Sequence, residues 1–186
     1  SMGGLVARHA LYIDAAGRAL WSTLKQRDSR LVMLGTPNRG SYSPAQLLLR
    51  QHSMSQMLGL LARGVSVGDL SRFGAAFPGL MAMLPQEPDP QFGDLFDAAA
   101  WDKLVALDSG TIRPDAATLQ AARDYVRGAA FEQSFKELRA DPQAFYVAGT
   151  GETALQMRPA PNPWGGFFGD GGGSPVAAVE FMAGPG

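Results

Sequence analysis

The sequence predicts an α/β fold in which part of a parallel sheet carries a helical cap, or lid, inserted after one of its core strands. Two apolar runs and the stretch between them lead to this expectation. Leu31–Leu34 is an unbroken apolar run bounded by a turn signal, as suits a strand buried on both faces of a parallel sheet. Phe145-Tyr146-Val147-Ala148-Gly149 is a second β-rich run, bounded by Pro142 and by Gly149-Thr150-Gly151. From Pro44 to about Ala140 the chain is rich in Leu and Met, in helix-like pieces separated by Gly and Pro, with no strand signal. Residues 1–43 are therefore expected to form a core segment, 44–140 the cap, and 141–186 a return to the core that ends in a Gly-rich tail.

Taken in order, residues 2 to about 12 place Leu5, Val6, His9 and Ala10 at helical spacing, and Gly3 and Gly4 permit close approach to a sheet. A second helix is predicted over about Ala15 to Lys25, with Ala16, Ala19, Leu20 and Leu24 on one stripe, before Asp28-Ser29 breaks the pattern. After the Leu31–Leu34 strand, Gly35 to Ser43 leaves through Pro and Gly. Loops at the carboxyl ends of such strands are where ligands bind, so Thr36 and Asn38 are substrate-pocket candidates, or else residues that shape the loop.

The cap reads as short helices over Ala45–Arg50, Met54–Leu61, Val67–Phe73 and Leu80–Leu84. One long helix is expected over Ala116–Arg139, N-capped by Asp115 and stopped by Asp141-Pro142. Met54, Met57, Met81 and Met83 have two readings, ordinary core packing or the lining of an acyl-chain site. Residues 165–186 contain eight Gly, and this tail is expected to be poorly ordered.

Composition narrows the function classes. With 46% hydrophobic and 18% charged residues the chain is globular rather than disordered. A formal net charge of −1 without a basic stripe gives no electrostatic reason to expect nucleic acid as a partner. No apolar run approaches the roughly 20 residues of a transmembrane segment. Zero cysteines exclude disulfides and Cys-based metal sites. Two His and scattered carboxylates form no metal-ligand spacing, Gly35-Thr36-Pro37-Asn38-Arg39-Gly40 lacks the Lys of a phosphate-binding loop, and Gly149-Thr150-Gly151 is no dinucleotide fingerprint. No cofactor or metal is expected.

Ser1-Met2-Gly3-Gly4-Leu5-Val6-Ala7-Arg8, followed by Leu31-Val32-Met33-Leu34-Gly35-Thr36-Pro37-Asn38-Arg39-Gly40, resembles the lipase and esterase group of the α/β-hydrolase superfamily. More narrowly it is similar to the branch of lecithin-cholesterol acyltransferases and GPI-inositol deacylase-like proteins. Ser1-x-Gly3 looks like the back half of a nucleophile elbow, which implies that the polypeptide begins inside an enzyme.

The resemblance implies acyl transfer. Ser1 is the nucleophile, the backbone N–H of Met2 is one oxyanion-hole donor, and Asp170, in Gly169-Asp170-Gly171, is the acidic member of the triad. Asp170 read on its own residues is an exposed Asp in a Gly-rich turn. His9, about 12 Å along the helix from Ser1, is out of reach of the Ser hydroxyl, and His52 is out of the family's order, so the catalytic base is expected outside the chain. The expected function is hydrolysis of carboxylic esters, lipids among them, through an acyl-enzyme, with these 186 residues inactive alone. Transfer of the acyl group to another hydroxyl is equally consistent. The competing reading is a non-catalytic module whose Met-rich cap binds a lipid or protein partner. Exposed apolar sheet edges are expected to favour self-association.

Overall fold

A computed structural model describes residues 2–51, 66–147, 155–159 and 179–183. Eight helices and four strands lie among them. In chain order they are α1 (Met2–Tyr12), α2 (Ala15–Lys25), β1 (Leu31–Leu34), α3 (Ser43–Leu48), α4 (Val67–Ala75), α5 (Pro78–Met81), α6 (Ala98–Leu107), α7 (Ala116–Val126), α8 (Ala129–Ala140), β2 (Ala144–Val147), β3 (Leu155–Pro159) and β4 (Val179–Ala183).

The expected α/β fold is overturned: the described chain is mostly helical. The two apolar runs do become strands, and β1 pairs with β2 in parallel, Leu31 opposite Ala144 and Leu34 opposite Val147. That sheet has only two strands of four residues each, and the other sheet, β3 with β4, is antiparallel. Nor is β1 buried on both faces. Met33 is buried, whereas Val32 and Leu34 are 56% and 68% exposed beside exposed Phe145 and Val147. Four apolar residues in a row fit a strand with one covered face as readily as one with two. The core forms between helices instead.

Two apolar clusters make up that core. The larger draws on α3 (Leu48), α5 (Met81), α6 (Trp101, Leu104), α7 (Leu119, Ala122, Val126) and the loop residues Phe92, Leu95 and Phe96, with Met157 of β3. The smaller joins Tyr12 of α1, Trp21 of α2, Met33 of β1 and Leu138 of α8. Met81 and Met83, one pair of the candidate acyl-site methionines, are buried. Met54 and Met57 lie outside the described residues, as do His52 and the Gly149-Thr150-Gly151 turn.

Capping fixes several helix starts. The Asp14 carboxylate accepts from Gly17 N at 2.8 Å, and Ser66 and Asp69 form a reciprocal capping box on α4. Asp115 accepts from Thr118 N at 2.7 Å, at the predicted N-cap of α7. The single helix expected over Ala116–Arg139 is two helices. Gly128 takes an extended backbone, φ −66° and ψ 143°, and restarts the chain as the N-cap of α8. Gly is the residue that a helix interior holds least well apart from Pro. The break lets Phe131 fold back onto Tyr125, with ring centroids 5.2 Å apart in an edge-on contact.

The C-terminal end of α8 is tied to the N-terminal helices by one carboxylate. Asp141 Oδ2 accepts from Tyr12 Oη (3.1 Å), Trp21 Nε1 (2.8 Å) and Lys25 Nζ (3.0 Å), while Oδ1 accepts from Gln143 N (3.0 Å). Its side chain is 4% exposed. Burial works to raise its pKa, but the donors from Gln143, Trp21, Lys25 and Tyr12 outweigh it and hold the carboxyl below the ordinary aspartate value. The same burial, with the nearby carboxylate, pushes the Tyr12 hydroxyl well up.

Candidate functional site

The site builds from α1 outward. Met2, Leu5, Val6 and His9 recur at intervals of three and four and so share one face of the helix, with Met2 and Val6 left 44% and 62% exposed. The opposite side of α1 is fastened to the loop after β1. A Cβ placed on Gly4 would lie 2.6 Å from Thr36 Cγ2 and 2.8 Å from Thr36 Cβ, inside any tolerable contact. Only glycine fits against that buried, β-branched side chain. Gly4→Ala is therefore expected to destabilise the protein by about 1–3 kcal/mol, as overpacking does, read from the midpoint of urea unfolding. A change below about 0.3 kcal/mol would mean that α1 and the loop are not held this close.

Thr36 and Asn38 are both buried, 2% and 3% exposed. Thr36 O accepts from Tyr146 Oη at 2.9 Å. Asn38 Oδ1 accepts from Arg8 Nη1 at 2.8 Å, and its backbone O accepts from Gln86 Nε2 at 3.3 Å. Gly40, at φ +90°, turns the loop against the backbone of Leu84, and Ser41 N donates to Met83 O at 2.7 Å. The loop that carries both residues is thus clamped from three sides.

Arg8 is wholly buried, between the two apolar clusters. Its guanidinium carbon lies 3.8 Å from the centre of the Phe131 ring and 5.6 Å from that of Phe135. No carboxylate pairs with it among the described residues, and its Nε and Nη2, with Asn38 Nδ2, have no hydrogen-bond partner there. Desolvation lowers its pKa, although an arginine this far from neutrality stays charged. A full positive charge is held inside the protein by Asn38 and two aromatic rings.

The exposed face of α1 borders an open, apolar groove of about 420 Å³. Phe77, Pro78, Gly79 and Ala82 around α5, Ala121, Ala122 and Tyr125 of α7, and Phe131 of α8 complete its lining. Its size is that of a small-molecule site. The polar feature of this lining is one pair: His9 Nδ1 and the Tyr125 hydroxyl share a hydrogen bond at 2.9 Å. Partial burial raises the Tyr125 pKa, and the charge of Arg8 pulls it the other way. Met2 and His9 are separated by seven helical residues, about 10 Å along the groove.

Of the residues singled out in the sequence, Met2 opens α1 and lines this groove. Thr36 and Asn38 are brought together beneath α1 and are not part of the groove lining. Ser1 and Asp170 lie outside the described residues. The groove, the His9–Tyr125 pair and the Arg8–Asn38 clamp were not foreseen. The periodicity of Met2, Leu5, Val6 and His9 was the available signal for the first, but the partners lie about seventy to more than a hundred residues on.

Comparison with protein families, curated proteins and solved structures finds no match for this chain.

Proposed function

We propose that this chain supplies the nucleophile and the acyl-chain groove of a serine-dependent carboxylic ester hydrolase. The observation that carries the reading is the apolar groove that starts at Met2, the residue next to Ser1 in the chain, and runs along α1. An ester with its carbonyl at the Met2 end can lay an apolar acyl chain against Leu5, Val6, Phe77 and Ala122. Ser1 Oγ attacks that carbonyl, the Met2 N–H stabilises the oxyanion, and the alcohol leaves with a proton returned by the general base. His9 is two helical turns from Met2 and bonded to Tyr125, so the base is a histidine other than His9, oriented by Asp170. The motif resemblance of Ser1-Met2-Gly3-Gly4 supports the same chemistry, and the packing of Gly4 on Thr36 gives its second glycine a physical reason.

The test is covalent labelling. Within its complete open reading frame the protein is expected to take up a fluorophosphonate stoichiometrically at Ser1, located by mass spectrometry, and Ser1→Ala should abolish the adduct. The 186 residues alone are expected to stay unlabelled, since a Ser hydroxyl without an adjacent base is a poor nucleophile. Failure of the complete product to label would move the assignment to a non-catalytic lipid-binding module, which the same groove also suits.

A further inference from the structure

The groove is apolar from Met2 onward and then meets a polar pair about 10 Å along, an arrangement that an all-hydrocarbon acyl chain does not use. A methyl end lying against His9 and Tyr125 would cover two hydrogen-bonding groups without replacing their water, which costs affinity. Charge around the pair is also one-sided. Tyr125 touches Phe131 edge-on, and Arg8 stacks on Phe131, so an uncompensated guanidinium sits one aromatic ring behind the tyrosine. The acidic neighbour, Glu132, is engaged by Arg39 at 3.4 Å, which leaves Arg8 as the net charge.

We infer that His9 and Tyr125 receive an ionised carboxylate at the far end of the acyl chain, so that the preferred substrate is a medium-chain ester with a terminal carboxylate. The placement of the ester carbonyl at the Met2 end rests on the hydrolase reading above; the polar recognition does not. With its own hydrogen bond kept, the pair has one proton to give the carboxylate, the Tyr125 O–H when His9 Nδ1–H donates to the tyrosine oxygen or the His9 Nε2–H when Tyr125 donates to Nδ1, and the field of Arg8 favours the anion over a neutral group. The groove is open at this end, His9 and Tyr125 being partly exposed, so the carboxylate keeps part of its hydration.

Binding tests this apart from catalysis. In Ser1→Ala protein made from the complete open reading frame, monomethyl sebacate is expected to bind about tenfold more tightly than methyl decanoate by isothermal titration, the gain of a charge-assisted hydrogen bond. In the Tyr125→Phe and His9→Phe backgrounds the ratio should fall towards unity, with circular dichroism confirming the fold. Equal affinities for the two esters, or a preference that survives both substitutions, would overturn the inference. So would equal binding of the ω-hydroxydecanoate methyl ester, because the charge would then contribute nothing. Fluorophosphonate labelling of Ser1 in the unsubstituted protein reports on the hydrolase independently of all three results.

Discussion

Asp141→Ala is expected to lower the stability of the protein by about 3–5 kcal/mol, the range for breaking a buried, hydrogen-bonded charge pair. The carboxylate receives Tyr12, Trp21, Lys25 and the backbone of Gln143, and Tyr12 and Trp21 are both buried. Each buried donor left unpaired costs about 1–3 kcal/mol. Asp141→Asn keeps an acceptor oxygen and should cost less. The effect also has a sign in pH. The folded-state pKa of Asp141 is lowered, so its contribution is fully present above the unfolded value of about 3.9 and is lost as pH falls through the folded value. Urea midpoints between pH 7 and pH 2 check this: the variant should show a shallower acid limb than the parent. Parallel acid limbs would show that Asp141 titrates normally.

Trp101→Ala should cost a comparable about 3–5 kcal/mol, as full truncation of a buried aromatic does. Trp101 is completely buried in the larger cluster, and its indole N–H donates to Leu95 O at 2.8 Å. Trp101→Phe keeps most of the apolar volume and drops the hydrogen bond, so the difference between the two variants separates packing from polarity. In a domain of this length each kcal/mol shifts the melting temperature by roughly 2–4 °C, which makes a fall of about 10 °C the expected calorimetric result for the alanine variant. A loss under about 1 kcal/mol would place the true core elsewhere.

Local structure was legible in the sequence where the signals are local. α2 covers the Ala15–Lys25 stretch that the spacing of Ala16, Ala19, Leu20 and Leu24 predicts, and β1 coincides with the apolar run Leu31–Leu34. α7 starts at its Asp cap, whereas the predicted helix runs on through Gly128 because Ala129 and Leu138 continue the stripe of Leu119, Ala122 and Val126. α6 was not anticipated. With only Asp102 and Lys103 charged among ten residues, its apolar stripe does not stand out, although Trp101 and Leu104 are central to the core. The fold class failed for a deeper reason. How many strands join a sheet depends on what packs against it, and two short apolar runs fix neither.

The candidate site divides in the same way. Gly3 and Gly4 are both expected to approach a sheet closely; only Gly4 makes a close approach, to Thr36 in the loop after β1, and a Cβ on Gly3 would meet nothing within 4 Å. Arg8 ends the Ser1–Arg8 motif in the sequence, and its dependence on Asn38 and Phe131 arises only where three separate elements meet. His9 was set aside as too far from Ser1 to act as base. In the proposed ligand pose the seven-position spacing from Met2 puts His9 at the opposite end of the acyl chain.

The parallel pairing of β1 with β2 has a consequence in time. The two strands are about 110 residues apart in the chain, so at a synthesis rate of roughly 5–20 residues per second β1 waits on the order of ten seconds for its partner to be made. During that interval Leu31–Leu34 has no strand partner, and α1, α2 and α3 are too short to be stable helices by themselves. Val32 and Leu34 stay exposed even after pairing. The place of Met33 in the smaller core cluster, which needs Leu138 of α8, is therefore filled only late in synthesis.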